Sequence, residues 1–150
     1  MGFFSKLKNA VTGGSARVHV ETTEIVLGQP FEVKVTAAAD ADLKFSRVYV
    51  YLQSFEAAMV HEIPVAEPHG VVVQTVEGEF QTVNIQLDVH GPGELAAGDE
   101  AEWIAEVDLP ENAMPTFQGE TVGNHWRIMA GLDAFGNDPD SGWIEVEVCA

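Results

Sequence analysis

Apolar and polar residues alternate along most of this chain, and helical periodicity is nearly absent. Phe31, Val33, Val35 and Ala37 alternate with Glu32, Lys34 and Thr36; Val48, Val50 and Leu52 alternate with Arg47, Tyr49, Tyr51 and Gln53. Val83, Ile85, Leu87 and Val89 stand against Thr82, Asn84, Gln86 and Asp88. The pattern returns in Trp103, Ala105, Val107 and Leu109, in Trp126, Ile128, Ala130 and Leu132, and in Ile144, Val146 and Val148. Successive side chains of a strand point to opposite faces, so each run predicts a strand with one core face and one wet face. Strands of this kind belong to antiparallel sheets, because parallel sheets are covered on both sides.

Three shorter runs, Arg17–Glu21, Ala58–Pro64 and Val71–Val76, bring the expected strands to about nine. Turn chemistry separates them at Gly28-Gln29-Pro30, Ala39–Asp42, Pro68-His69-Gly70, Gly91-Pro92-Gly93 and Gly136–Gly142. Many short strands without βα alternation predict an all-β fold, a two-sheet antiparallel immunoglobulin-like sandwich. Two stretches depart from the pattern. Phe3, Phe4, Leu7 and Val11 fall on one helical stripe that stops at Gly13-Gly14, predicting a short N-terminal helical segment that needs packing support. Pro110–Asn124 is irregular, with Pro110, Pro115 and Gly119. The expected organisation is an amphipathic segment over 1–14 and a sandwich domain over 15–150.

At 150 residues the chain is long enough to close a core without staples, and its 46% hydrophobic content argues against disorder. The single cysteine, Cys149, excludes an internal disulfide and fits a reducing compartment, so a cytoplasmic location is expected. No run approaches the ~20 apolar residues of a membrane span. The N-terminus lacks the apolar core of a signal peptide, and Lys6 stands where an N-myristoylation pattern wants Ser or Thr.

The formal charge of −17 is unevenly placed. Residues 1–18 hold Lys6, Lys8 and Arg17 and no acid; the rest holds all 24 acids against Lys34, Lys44, Arg47 and Arg127, a net of −20. Such a body repels phosphate backbones, which argues against nucleic-acid partners. Attraction of basic partners or cations is one reading of the acidity; solubility or adaptation to high salt is the other.

From Leu95 onward the chain reads LAAGDEAEWIAEVDLPENAMPTFQGETVGNHWRIMAGLDAFG. Its Gly98-Asp99 turn, Leu109-Pro110, Pro115-Thr116-Phe117-Gln118-Gly119, Trp126-Arg127 and Leu132-Asp133 resemble, in order and spacing, the N-lobe of the arrestins. Leu27-Gly28-Gln29-Pro30 and the strand Val48–Leu52 agree with that family. The opening GFFSKLKNAVTGGSARV resembles the bacterial and archaeal branch, the sporulation-control M proteins. The resemblance implies an arrestin-like sandwich acting as an adaptor or scaffold, without catalysis. Arrestins have two lobes, and the resemblance here covers one.

Catalytic motifs are missing. There is no G-x-S-x-G, no phosphate-cradling glycine loop, and no pair of histidines at metal-ligand spacing among His19, His61, His69, His90 and His125. No cofactor is expected. The best inorganic candidate is the stretch with Asp133, Asn137, Asp138 and Asp140, whose closely spaced oxygens suit Ca²⁺; an Asp/Asn/Gly-rich hairpin connecting the last two strands is the favoured reading. By alternation, Trp103 and Trp126 belong to the core.

Arg47, Tyr49 and Tyr51 share the outward face of one strand, a combination suited to protein recognition. The opposing reading packs the tyrosines under a neighbouring loop. Phe3, Phe4, Leu7 and Val11 admit three roles: packing on their own domain, docking a partner or sister copy, or touching a membrane, which two lysines support only weakly. The expected function is a non-enzymatic protein-binding module acting through sheet edges, loops and the N-terminal segment, self-association included. The alternative is a small-ligand or Ca²⁺-binding sandwich using residues 133–142.

Overall fold

Val33 and Val35 are fully buried while Glu32 between Phe31 and Val33 is exposed, and this in–out rhythm governs the molecule. A computed structural model describes residues 12–13 and 15–150, all-β throughout. The strands are β1 (Thr12–Gly13), β2 (Ala16–Thr22), β3 (Ile25–Val26), β4 (Phe31–Ala39), β5 (Leu43–Glu67), β6 (Gly70–His90), β7 (Gly93–Leu95), β8 (Glu100–Val107), β9 (Phe117–Gln118), β10 (Val122–Ala134), β11 (Ile144–Val146) and β12 (Val148–Cys149).

They form three sheets: β1-β2-β4-β8; β11-β10-β5-β6, with β7 added to β5 and β9 to β10; and the pair β12-β3. This corrects the expected two-sheet antiparallel sandwich of about nine strands. The third sheet is parallel, with Val148 opposite Ile25 and Cys149 opposite Val26. Alternation along Ile144–Val148 predicts one strand, but the chain leaves β10 after Val146 and Val148 buries itself beside Ile25 instead. A pairing of two residues is too short to carry its own sequence signature. No helix occurs among the described residues. The predicted helical stripe Phe3, Phe4, Leu7 and Val11 lies outside them.

The inner face of β2 and β4 supplies Val18, Val20, Val33, Val35 and Ala37; the inner face of β5 and β10 supplies Val48, Val50, Leu52, Trp126, Ile128, Ala130 and Leu132. These meet in one cluster, each large side chain worth about 1.5–3 kcal/mol of burial. Trp126, among the largest of them, also donates its indole N–H to the Met114 carbonyl at 2.9 Å, which anchors the irregular stretch before β9.

The two longest strands depart most from the sequence pattern. Val48–Gln53 and Ala58–Pro64 are one strand, β5, and Val71–Val76 and Val83–Val89 are one strand, β6. Their pairing runs from Val48↔His90 to Glu67↔Gly70, with register shifts at Val48/Tyr49, Ser54/Phe55 and Val60/Ile63. An extra residue in one strand slips the alternation by one, and along the sequence such a slip looks like a strand end. The predicted Pro68-His69-Gly70 turn is the hairpin tip. β10 accompanies β5 only as far as Ala58, opposite Val122, so the last part of the hairpin projects as a ribbon of two strands.

Candidate protein-interaction surface

The outer face of the β11-β10-β5-β6 sheet carries Arg47, Tyr49 and Tyr51, and the three have unequal fates. Arg47 donates from Nη1 to Asp88 Oδ1 at 2.9 Å, from Nε to Asp133 Oδ2 at 3.1 Å, and from Nη2 to the Tyr51 hydroxyl at 3.4 Å. Asp88 first and Asp133 second hold its guanidinium pKa above the ordinary value. Tyr49 and Tyr51 stack with ring centroids 4.8 Å apart. Tyr49 is only 5% exposed, lying against Gly131 of the adjacent strand. Burial raises its pKa to about 12, helped by the negative charges of Asp138 and Asp140. The neighbourhood of the loop after β10 therefore takes Tyr49 out of any contact surface, while Arg47 and Tyr51 stay half-buried.

That loop contains Asn137, Asp138 and Asp140, with Asp133 at the end of β10, and the side chains of the four oxygen-bearing candidates are directed to different local tasks. Asp133 pairs with Arg47, Asp138 Oδ1 accepts from the Ala134 amide at 3.0 Å, and Asp140 Oδ1 accepts from the Gly142 amide at 2.8 Å. Asn137 is exposed. Backbone bonds Leu132 N–H to Pro139 O and Ser141 N–H to Ala130 O continue the sheet ladder into the loop. The hairpin connection accounts for these residues. Among the described residues no group of three His, Cys, Asp or Glu side chains could hold a metal ion.

A neighbouring cluster on the same face was not visible from any one strand. The Arg127 guanidinium sits 4.1 Å from the Trp143 ring centroid and 4.7 Å from that of Phe55. Gln53 Oε1 accepts from its Nε at 3.0 Å and from Nη2 at 2.8 Å. Trp143 is 38% exposed, so the cluster reaches solvent. The only sequence signal was phase: Gln53, Phe55 and Arg127 all fall on outward positions. Trp103, read as core, is partly buried against Phe45 and His90, with centroids 5.8 and 5.9 Å away.

Exposed apolar residues also gather elsewhere, on the projecting hairpin. Val71 is 68% exposed, Val73 62% and Phe80 70%, with Val60, Val72 and Val76 also exposed. Alternation puts Val60, Val72, Val76 and Phe80 on one face of the ribbon and Val71 and Val73 on the other, so both faces expose apolar side chains. At its root, small residues on neighbouring strands (Gly78, Ala58, Gly123) leave two concavities of about 480 and 500 Å³, the second bordered by Phe80, Phe117 and Val122. Sequence reading left these residues out because it broke the hairpin into separate strands. Phe3, Phe4, Leu7 and Val11 lie outside the described residues.

The arrangement of these sheets can be placed among known folds. It superposes on the crystal structure of a sporulation control protein from Bacillus subtilis with a TM-score of 0.59, at 15% identity, over 91% of this chain and 50% of that one. The fold is that of Spo0M. The resemblance to the sporulation-control M proteins read from the sequence leads to the same fold. The chain spans about half the length of Spo0M. No protein family and no curated protein matches it by sequence.

Proposed function

We propose that this chain is a non-enzymatic protein-interaction module whose contact surface is the projecting β5–β6 hairpin with its concave root. The observation that carries the reading is a ribbon apolar on both faces, with Val71 and Val73 exposed on one and Val76 and Phe80 on the other, and no third strand beside it among the described residues. A two-stranded hairpin is at best marginally stable in water, and a partner supplies the missing apolar contact. The Spo0M-like fold is compatible with this role.

The test is affinity capture with three baits: the full chain, the chain lacking residues 1–14, and Val76→Ser/Phe80→Ser. Loss of captured protein with the hairpin variant is the expected result. If only the truncation loses it, Phe3, Phe4, Leu7 and Val11 are the contact and the hairpin is not.

A further inference from the structure

The projecting hairpin has two open edges, and they differ. On the β5 side, the Met59 amide still reaches the Thr121 carbonyl at 2.7 Å, after which pairing with β10 has ended. Beyond it come the register shift at Val60/Ile63, with Glu62 at φ 58°, and then Pro64, which has no N–H. A bulge and a proline are both devices that keep other strands from adding to an edge. The β6 side has neither. Residues 70–76 read Gly-Val-Val-Val-Gln-Thr-Val, all exposed, with no charge and no proline. Among the described residues β6 pairs with β5 alone. Uncharged, β-branched stretches of about six or seven residues pair readily with identical copies.

Resting on the reading of the hairpin as the contact surface, we propose that β6 of one copy pairs antiparallel with β6 of a second copy. The product is a four-stranded sheet in which the two β6 strands lie at the centre and the two blunted β5 edges lie outside. Pairing one edge with itself is two-fold symmetric and closes at two copies. Charge selects a second copy over a basic partner. Residues 19–150 carry a net −20, so a basic protein is drawn to the acidic body, whereas the acidic bodies of two copies repel and approach best where charge is absent. The stretch 70–76 is such a place. It is also held away from both bodies, since the nine residues beyond Ala58 to the tip extend about 30 Å.

The test is sedimentation equilibrium of the full chain over a wide concentration range at low and high salt. The expected species has twice the 16.2 kDa chain mass and tightens with salt, because salt screens the repulsion between bodies and leaves apolar burial intact. Val71→Lys/Val73→Lys should weaken association about tenfold or more. Phe135→Ser, at an exposed position far from the hairpin in sequence, should leave association unchanged. Amide hydrogen exchange over residues 70–78 should slow as concentration rises, in the wild type and not in the lysine variant. A monomer at all concentrations and salts overturns the proposal, as does a dimer indifferent to the lysine substitutions. A monomer that still captures a different protein through the hairpin overturns the second copy and leaves the contact surface standing.

Discussion

Tyr49 lies so close against Gly131, its register partner on β10, that any side chain at 131 would collide with the phenol group. Gly131 therefore serves close approach across the sheet. Gly131→Ala should destabilise the fold by about 1–3 kcal/mol, read as a lower denaturation midpoint at unchanged denaturant slope. In a Tyr49→Ala background the same substitution should cost much less, and equal costs in both backgrounds would sink the explanation.

The same tyrosine makes stability depend on alkaline pH. Its pKa rises from 10 in the unfolded chain to about 12 in the fold, chiefly through burial and then through Asp138 and Asp140. The folded state holds the phenolic proton more tightly, so stability is unaffected below pH 10 and falls as pH rises towards about 12. Tyr49→Phe keeps the ring and should flatten that part of the pH profile. A wild-type profile no steeper than the Tyr49→Phe profile would contradict this.

Asn124 is 1% exposed and donates from Nδ2 to the carbonyls of Met114 and Pro115 at 3.1 and 3.0 Å. With the Trp126 indole on the same Met114 carbonyl, it ties the stretch before β9 to the core. Asn124→Ala should cost about 1–3 kcal/mol, because the part-buried bonds to the Met114 and Pro115 carbonyls are lost and the buried amide leaves a void. Increased exchange at Thr116, whose amide bonds the Val148 carbonyl, should accompany the loss.

Calcium provides a direct check on the loop after β10. With Asp133 on Arg47 and Asp138 and Asp140 on backbone amides, millimolar Ca²⁺ should leave the melting temperature unchanged. A rise that disappears in Asp138→Asn/Asp140→Asn would revive the ligand-binding alternative.

Much of the candidate surface was legible only in part. Arg47, Tyr49 and Tyr51 do share the outward phase, but the sequence cannot say that the loop after Ala134 returns beside Tyr49. Arg127, Phe55 and Trp143 converge from three segments far apart in the chain, which no local pattern reports. The exposed valines of the hairpin were in view as short runs, and only their pairing shows that they form one ribbon.

Alternation by itself determined that this protein is all-β, which side of β4, β5 and β10 faces the core, and where Gly28, Pro68-His69 and Gly91-Pro92-Gly93 turn the chain. Those properties follow from the pleat and from turn stereochemistry, both set within a few residues. Tertiary structure decided that β5 and β6 are continuous through their bulges, that Val148 pairs parallel with Ile25, and that Tyr49 is buried while Val73 is not. Each of these depends on what a strand finds beside it in space, and a two-residue period is the same whether the neighbour is parallel, antiparallel or absent.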